Sequence, residues 1–260
     1  MVDDVELATE LVREAGELAA RMLAGGLSTE HKTSITDVVS AADHAAEAHI
    51  VQRLRTERPD DGLIGEEGAS HPGARTWFID PVDGTYNFLS GLPLWCSAVA
   101  LTDVGGELLL GAIYQAATQE LWLGRPDYLT TCNGAAVEPL ADRPLAEVSL
   151  ATYLHPPRLA EDAVRLPLLR VIQGAATVRM LGSGSIELAA VAAGRLGAWL
   201  QLDAPDWDWL PGRALVEASG GATAVLDAYG HRWHLAGNRQ VVAELGALVS
   251  AELNRLVRES

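Results

Sequence analysis

The pattern of apolar and polar positions predicts a helix at each end of the chain and shorter elements between them. Over residues 3–25 apolar side chains recur every three or four positions, which is typical of one buried helix face, and a pair of glycines ends the run. A second helix is predicted over residues 40–57. Ser40 is a natural N-cap for this helix, and Pro59 marks its end.

Apolar runs separated by turn residues predict strands in the middle of the chain. These strands are expected at 63–64, in a run that ends at Asp80, and at 95–103, 107–115 and 119–124. Beyond them strands and helices alternate, which is typical of an α/β unit. The strands are expected at 147–153, 175–181, 197–202 and 222–227, and the helices at 158–170 (interrupted by Pro167), 185–194, 208–218 and 240–258.

A loop-rich stretch at residues 124–145 offers the best boundary between two parts of the chain. It contains Pro126, Gly134, Pro139 and Pro144, all of which favour turns. We therefore predict an α+β subdomain over residues 1–140 and an α/β subdomain over residues 141–260.

The composition indicates an acidic globular protein. The chain has 260 residues, of which 48% are hydrophobic, and its formal net charge is −16. Such a charge argues against binding to the phosphate backbone of a nucleic acid, which needs clustered Lys and Arg. The two cysteines lack metal-ligand spacing, and no signal peptide or run of about 18 apolar residues is present. We expect a cytoplasmic protein with no membrane contact.

The hexapeptide DPVDGT at residues 80–85 carries the most chemical information. Asp80 and Asp83 lie three residues apart at the end of an apolar run, where two carboxylates are costly unless a cation holds them. Carboxylate oxygens are the ligands that Mg²⁺ prefers. A plain turn explains Pro81 and Gly84, but it does not explain two acids and a threonine at the end of a buried strand.

Further acids lie at the ends of other predicted elements. Glu66 and Glu67 follow a short apolar strand, and Asp208 lies at the start of a helix. Asp43 lies three residues after Ser40, which is also the spacing of a helix capping box. Each acid alone has an ordinary structural explanation, because negative charge is favoured at a helix N-terminus and on the solvent-exposed surface. Together with DPVDGT they form a specific set.

This set resembles the inositol monophosphatase family of Mg²⁺-dependent, lithium-sensitive phosphatases. The matching segments are GEE at 65–67, WFIDPVDGTYNF at 77–88, WD at 207–208, EASGG at 217–221, and Lys32 eleven residues before Asp43. The resemblance runs from about residue 5 to about residue 245. It implies a layered αβαβα sandwich, with an α+β N-terminal half and an α/β C-terminal half, and a homodimer as the common assembly.

The resemblance also implies a set of metal ligands. Glu66, Asp80 and the backbone carbonyl of Val82 would bind one Mg²⁺. A second ion would be bound by Asp80, Asp83 and Asp208, and Glu67 would hold a weaker third ion or its waters. Mn²⁺ is a possible substitute for Mg²⁺.

The same comparison implies catalytic and substrate-binding roles. Asp43 and Thr85 would orient the attacking water, with the Thr85 hydroxyl donating to Asp43, and Glu66 would share in catalysis through its metal. The substrate would be bound by Asp83, Gly84, Thr85, Gly184, Gln201 and Asp208. Gly84 and Thr85 would offer backbone N–H groups to the phosphate, and Gly184 belongs to a small-residue segment that reads equally well as a helix N-cap.

The implied activity is hydrolysis of a small polyol or sugar phosphomonoester, with inositol 1-phosphate as the first candidate. Histidinol phosphate, fructose 1,6-bisphosphate and 3′-phosphoadenosine 5′-phosphate are alternatives within the family, and a regulatory binding protein on the same scaffold is the non-enzyme alternative. A haloacid-dehalogenase-type phosphatase would place its acids as DxD, whereas Asp80 and Asp83 are separated by two residues.

Two positions depart from the family pattern. Gln201 stands where inositol-specific members usually carry a glutamate that contacts ring hydroxyls, so strict inositol preference is in doubt. Trp209, Leu210 and Pro211 stand where small residues are usual. We expect Trp209 to narrow the pocket, and Pro211 to be tolerated only in the first helical turn.

Overall fold

The computed structural model describes residues 3–25, 29–31 and 38–259. Lys32, part of the predicted family match, lies outside the described residues. The helices are α1 Asp4–Gly25, α2 Ala41–Glu57, α3 Thr85–Leu89, α4 Asp162–Gly174, α5 Gly184–Ala192, α6 Asp206–Ala218 and α7 Arg239–Glu259. Short 3-10 helices cover Leu145–Glu147 and Pro156–Ala160.

Strands occupy most of the chain between these helices. They are β1 Thr29–His31, β2 Val38–Ser40, β3 Gly62–Gly65, β4 Ser70–His71, β5 Thr76–Asp83, β6 Cys96–Thr102, β7 Leu108–Gln115, β8 Glu120–Arg125, β9 Tyr128–Cys132, β10 Ala135–Ala136, β11 Ser149–Tyr153, β12 Thr177–Arg179, β13 Ala198–Leu202, β14 Ala222–Ala228 and β15 His231–Gly237. β1 and β2 form a small antiparallel ribbon.

Two mixed sheets organise the molecule. The first has the strand order β10-β9-β8-β7-β6-β5-β3-β4, and all its pairs are antiparallel except β3 with β5. The second has the order β12-β11-β13-β15-β14, in which β11 runs parallel to β12 and to β13. The strands of the first sheet all precede residue 137, and those of the second all follow residue 148.

The helices cover these sheets in three layers. α1 and α2 pack on the outer face of the first sheet, α5 and α6 lie between the two sheets, and α4 and α7 cover the outer face of the second sheet. The order of layers is therefore αβαβα, and the predicted fold class is confirmed. Because each layer buries an apolar face against its neighbours, the cores extend from one end of the sandwich to the other.

The prediction of a loop at residues 124–145 is partly wrong. Its first half forms β9 and β10, which extend the first sheet by two short antiparallel strands. Turn residues at Asp127 and Asn133, both with positive φ, connect these strands. The sequence hides them because the strands are short and their side chains are mostly exposed or half-buried.

Proline disturbs the helices less than the sequence suggests. Pro167 was expected to interrupt its helix, yet α4 continues through it, with the proline side chain buried. Pro211 lies in the second turn of α6, beyond the first turn in which it was expected to be tolerated. Each proline removes one backbone donor, and packing of the buried apolar face compensates for that loss.

Candidate active site

Strand β5 brings Asp80 and Asp83 to one edge of the first sheet. All but the first residue of this strand are buried, and Asp80 and Asp83 are 1% and 6% exposed. The pairing with β6 shifts register between the two aspartates, and both residues line the same cavity. Gly84 follows with φ of 95°, a conformation that favours glycine, and starts the short helix α3.

Glu66 reaches the same edge from the neighbouring parallel strand. β3 ends at Gly65, which pairs with Ile79, and the N–H of Glu66 donates to the Ile79 carbonyl at 3.1 Å. This register places Glu66 beside Asp80. The site therefore lies at the carboxyl ends of two parallel strands, a common position for a ligand site in α/β proteins.

Asp208 approaches from the other half of the molecule. It lies in the first turn of α6, which follows β13 after a three-residue connection. The residue as a whole is half-buried, and its carboxyl group lies near those of Asp80 and Asp83. The first turn of a helix is a favourable place for a negative charge. Three separate chain segments thus contribute acids to one place.

A cavity of about 630 Å³ opens where these segments meet. Its wall contains eight of the eleven predicted site residues, namely Glu66, Asp80, Asp83, Gly84, Thr85, Gly184, Gln201 and Asp208. Arg158 is a cation on this wall. The cavity is large enough for a small organic phosphate.

Three predicted site residues lie outside this wall. Asp43 is buried in the first turn of α2, and Val82 is buried within β5. Glu67 was considered as a solvent-exposed acid, but its side chain is only 6% exposed and lies 3.2 Å from Nδ1 of His44. These residues are placed behind the acids of the cavity wall and not in it.

Mutual repulsion and burial raise the pKa values of the clustered acids. The pKa of Asp80 is raised well above its ordinary value, first by burial and then by Glu66, Asp83 and Asp208. Burial, followed by repulsion from Asp83, raises the pKa of Asp208 to about 7. The pKa of Glu66 is raised by withdrawal of its carboxyl from water and by Asp208, although the residue as a whole is exposed. These acids lack a compensating cation among the described residues that line the cavity near them.

Asp83 differs from Asp80 in where its backbone donor comes from, since Asp80 Oδ1 accepts from the nearby Val82 N–H at 3.1 Å whereas the donor to Asp83 comes from α5. Its Oδ2 accepts a hydrogen bond from the backbone N–H of Ser185 at 2.6 Å, at the N-terminus of α5. The Sγ of Cys96 lies 4.0 Å from the same oxygen. Ser183 caps α5 by accepting from the N–H of Ile186. Burial still raises the pKa of Asp83, and the donors of the helix start act against that shift.

The donor set fits a hard divalent cation. Four carboxyl groups from β5, the turn after β3 and the start of α6 converge on one cavity, and oxygen ligands of this kind bind Mg²⁺. Within the described ranges, no group of three His, Cys, Asp or Glu side chains has the mutual arrangement needed to hold a metal ion as the side chains stand. The carboxyl groups of Glu66, Asp80 and Asp208 instead lie close enough to one another to shift one another's pKa values.

Thr85 makes a different contact from the one predicted. Its Oγ1 donates to the Val82 carbonyl at 3.2 Å and not to Asp43. Trp209 was expected to narrow the pocket, but it is buried and stacks on Trp199 with ring centroids 5.5 Å apart. Trp207, two residues earlier in the chain, lines the cavity instead.

Glu47 is a site-supporting residue that the sequence did not reveal. Its Oε2 and Oε1 accept hydrogen bonds from the N–H groups of Glu67 and Ala69, at 2.9 and 3.0 Å. A Cβ at Gly65 would lie 2.2 Å from Oε2 of Glu47, so a larger residue there would displace this carboxylate. Glu47 lies four residues after Asp43 on α2, a spacing that places both on one helix face and was a usable signal.

Glu187 is a second supporting acid that the sequence did not reveal. Its carboxylate is fully buried in the first turn of α5 and accepts hydrogen bonds from the Leu181 N–H at 2.7 Å and from Nε1 of Trp199 at 3.0 Å. Burial raises its pKa to about 8. A lone glutamate near a helix start gives no sequence signal for burial, because the usual place of such an acid is the surface.

Comparison with known proteins agrees with this geometry. The model of the inositol monophosphatase family matches residues 2–260. The chain belongs to the inositol monophosphatase family.

Individual members of the family give the range of similarity. The chain is 30% identical to an inositol-1-monophosphatase of Bacillus subtilis over 85% of each chain. It is 29% identical to a fructose-1,6-bisphosphatase/inositol-1-monophosphatase of Thermotoga maritima, over 85% of this chain and 84% of that one. The solved structure of a Thermotoga maritima IMPase superposes with a TM-score of 0.84 at 27% identity, covering 99% of both chains.

Membership of the inositol monophosphatase family makes the protein a phosphoric monoester hydrolase of a metal-dependent family. The predicted family and enzyme class are therefore confirmed. In the part of the chain that the structure describes, no helix is both long enough and apolar enough to cross a bilayer.

Proposed function

We propose that the protein is a Mg²⁺-dependent phosphomonoesterase that hydrolyses inositol 1-phosphate or a closely similar polyol phosphate. The observation that carries this proposal is the convergence of Glu66, Asp80, Asp83 and Asp208 on one cavity. Burial, and repulsion from neighbouring carboxylates, raise the pKa values of Glu66, Asp80 and Asp208, so these acids are costly to keep together. A divalent cation removes that cost, and a phosphate ester is a ligand that such a cation attracts.

The cluster suggests which residues hold the metal. Glu66, Asp80 and the carbonyl of Val82 are proposed for one ion, and Asp80, Asp83 and Asp208 for a second. When bound, Mg²⁺ supplies positive charge against the phosphate oxygens and makes a water a stronger nucleophile. The buried position of Asp80 keeps this electrostatic effect strong, because little water screens it.

The residues around Thr85 are proposed to orient the attacking water. Thr85 Oγ1 lies on the cavity wall, and its proton is donated to the Val82 carbonyl. The hydroxyl oxygen therefore keeps its lone pairs for a hydrogen bond from water. Asp43, buried at the start of α2, is proposed to act from behind this wall rather than by direct contact. Catalysis then consists mainly of positioning and charge neutralisation.

Gln201 and Gly184 are proposed to bind the alcohol part of the substrate. Both line the cavity on the side of the second sheet, and a Cβ at Gly184 would lie 3.8 Å from Oε1 of Gln201. The amide of Gln201 can donate and accept hydrogen bonds, which suits a ring carrying several hydroxyl groups. The absence of side chain at Gly184 leaves room for that ring.

A panel of phosphomonoesters assayed with Mg²⁺ and with a chelator tests the proposal. We expect hydrolysis of inositol 1-phosphate that requires Mg²⁺ and is lost in Asp208→Asn. Asp227→Asn, an exposed aspartate on β14, is the matched control and should behave like the wild type. Absence of Mg²⁺-dependent release of phosphate from every ester in the panel would refute the proposal.

A sugar bisphosphate is a second candidate substrate, which Arg158 favours. Its guanidinium contacts Asp203 and Glu161 only at 3.4 and 3.5 Å, so it is loosely held and faces the cavity. Such a cation suits a second phosphate. If it serves this role, Arg158→Gln should lower kcat/KM for fructose 1,6-bisphosphate relative to inositol 1-phosphate, while the exposed Arg165→Gln should leave the ratio unchanged.

A further inference from the structure

The peptide group of Leu181 is held from both sides by buried side chains. Its N–H donates to Oε1 of Glu187 at 2.7 Å, and its carbonyl accepts from Nδ2 of Asn87 at 2.7 Å. The same Nδ2 donates to the Leu94 carbonyl at 2.7 Å. Because Asn87 lies on α3 and Glu187 on α5, the Leu181 peptide is one of the points at which hydrogen bonds join the second half of the chain to the first.

The segment after Leu181 leads directly to Asp83. It runs through Gly182, whose φ is 80°, and through the N-cap Ser183 to Ser185, the second residue of α5. The N–H of Ser185 donates to Oδ2 of Asp83 at 2.6 Å. Three residues thus lie between Leu181 and Ser185, whose N–H holds Asp83. A shift of the Leu181 peptide would move this donor.

A hydrogen bond to the other carboxylate oxygen of Glu187 fixes the Glu187 side chain. Oε2 accepts from Nε1 of Trp199 at 3.0 Å, and Trp199 is held in turn by its stack on Trp209. Glu187 is 0% exposed, and a fully buried acid is retained at a cost in stability unless its hydrogen bonds are needed. Glu187 lies outside the cavity wall, so it does not touch a ligand bound there.

We infer that Glu187 is a positioning residue that holds Asp83 ready for a divalent cation through Leu181 and the Gly182–Ser185 segment. The inference rests on the proposed function, since it assigns Asp83 to cation binding. A purely structural role for Glu187 would change only the stability of the fold. The positioning role changes cation affinity in protein that is fully folded.

Titration of the metal-free full-length protein with Mn²⁺ by calorimetry tests this inference, with kcat and KM measured alongside. Glu187 accepts one N–H at each oxygen, from Leu181 and from Trp199. In Glu187→Gln the side-chain NH2 group takes the place of one oxygen and cannot accept, so we expect the Leu181 peptide to lose its fixed position. We expect folded Glu187→Gln to bind Mn²⁺ on the order of tenfold more weakly than the wild type, the usual effect of removing a residue that orients a metal ligand. We also expect kcat/KM to fall. The matched control Glu217→Gln, an exposed glutamate on α6, should bind Mn²⁺ like the wild type.

Circular dichroism confirms that each variant is folded before it is titrated. Wild-type Mn²⁺ affinity in folded Glu187→Gln would overturn the inference. If Glu187→Gln does not fold, Trp199→Phe removes one partner of Glu187 and keeps the aromatic stack, and wild-type affinity in that variant would overturn the inference instead. A wild-type protein that neither binds Mn²⁺ nor hydrolyses a phosphomonoester contradicts the proposed function itself, which is a different result.

Discussion

The two sides of the cavity solve opposite electrostatic problems. On the side of the first sheet, burial raises the pKa values of Asp80 and Glu66, and repulsion from Asp208 raises both further. Repulsion from Glu66 also raises the pKa of Asp80. On the side of α5, the carboxylates of Asp83 and Glu187 each accept a backbone N–H at 2.6 to 2.7 Å. The first group is held together by the fold against its own charge, and the second is held by hydrogen bonds.

This difference separates binding chemistry from positioning. Asp80 accepts a hydrogen bond at Oδ1 from the Val82 N–H at 3.1 Å, and its remaining lone pairs are available to a cation. Acids that are fully hydrogen-bonded fix the geometry of the segments that carry them. Asp83 belongs to both groups, since it lies in the cluster and is also held by Ser185. Asp83 therefore connects the hydrogen bonds that position α5 to the acids proposed to bind the cation.

Of the substitutions considered, Asp80→Asn should have the largest effect on activity, because it disrupts the cluster of acids on the side of the first sheet. We expect kcat in the presence of Mg²⁺ to fall by about 100-fold or more, equivalent to about 3 kcal/mol of lost electrostatic stabilisation. The metal-free variant should melt at a higher temperature than the wild type, because one of the repelling charges is gone. Phosphate release and thermal melting in a chelator measure the two effects. A folded variant with near-normal turnover would contradict the assignment of Asp80.

Mg²⁺ itself should stabilise the folded protein. A ligand that binds only the folded state adds about 2.7 kcal/mol of stability when its concentration is 100 times its Kd. We expect a rise in melting temperature that grows with the Mg²⁺ concentration in the wild type and is largely absent in Asp80→Asn. Differential scanning fluorimetry over a Mg²⁺ series gives the answer, and an equal concentration of K⁺ salt controls for ionic strength. Identical shifts in both proteins would place the cation elsewhere.

The metal-free protein should become less stable as the pH rises. Asp208 has its pKa raised to about 7 in the folded state, and Asp80 and Glu66 are raised as well. The folded protein therefore keeps protons that the unfolded chain releases near pH 4. The contribution of these groups to the free energy of unfolding is fully present below pH 4 and is lost as the pH rises through 7. We expect a loss on the order of 2 kcal/mol. Urea unfolding from pH 4.5 to 8 measures it.

Two controls sharpen the pH experiment. Saturating Mg²⁺ should flatten the dependence, because the cation replaces the protons, and Asp208→Asn should reduce it in the absence of metal. A stability that rises steadily over the same range without metal would show that the acids do not share protons in the folded protein.

Glu47→Gln should have the smallest effect of the set. An amide can accept only one of the two hydrogen bonds that Glu47 receives from Glu67 and Ala69, and the donor left unpaired costs about 1 to 2 kcal/mol. Urea denaturation at neutral pH should show this loss. The matched change on the same helix is Glu57→Gln, a half-buried partner of Arg53 that should matter less. Equal losses in the two variants would remove the special role of Glu47.

The sequence contained enough information to predict the architecture and the acids of the cavity wall. The long periodic runs of α1 and α2 and the apolar runs of β6, β7 and β8 correspond to elements of the structure. DPVDGT marked the edge of β5 because two acids after an apolar run contradict ordinary burial. Features that violate a local rule are visible in one sequence, and they tend to mark functional sites.

Features that depend on tertiary burial were not predictable. His234 lies near His231 and Arg232 in the sequence of β15, yet it is 0% exposed and packs edge-on against Trp209. Glu47 and Glu187 are ordinary helical glutamates in the sequence, and only the packing of α2 and α5 against the sheets buries them. The Thr85 contact also differs, because the geometry of the turn at Gly84 brings Val82 within reach of the hydroxyl.

Anomalous diffraction from crystals grown with Mn²⁺ tests the central claim most directly. The account predicts anomalous density in the cavity between the carboxylates of Glu66, Asp80, Asp83 and Asp208, and no such density in Asp80→Asn crystals grown in the same way. Well-ordered crystals in which the four carboxylates point away from one another, with no anomalous density between them at millimolar Mn²⁺, would contradict it.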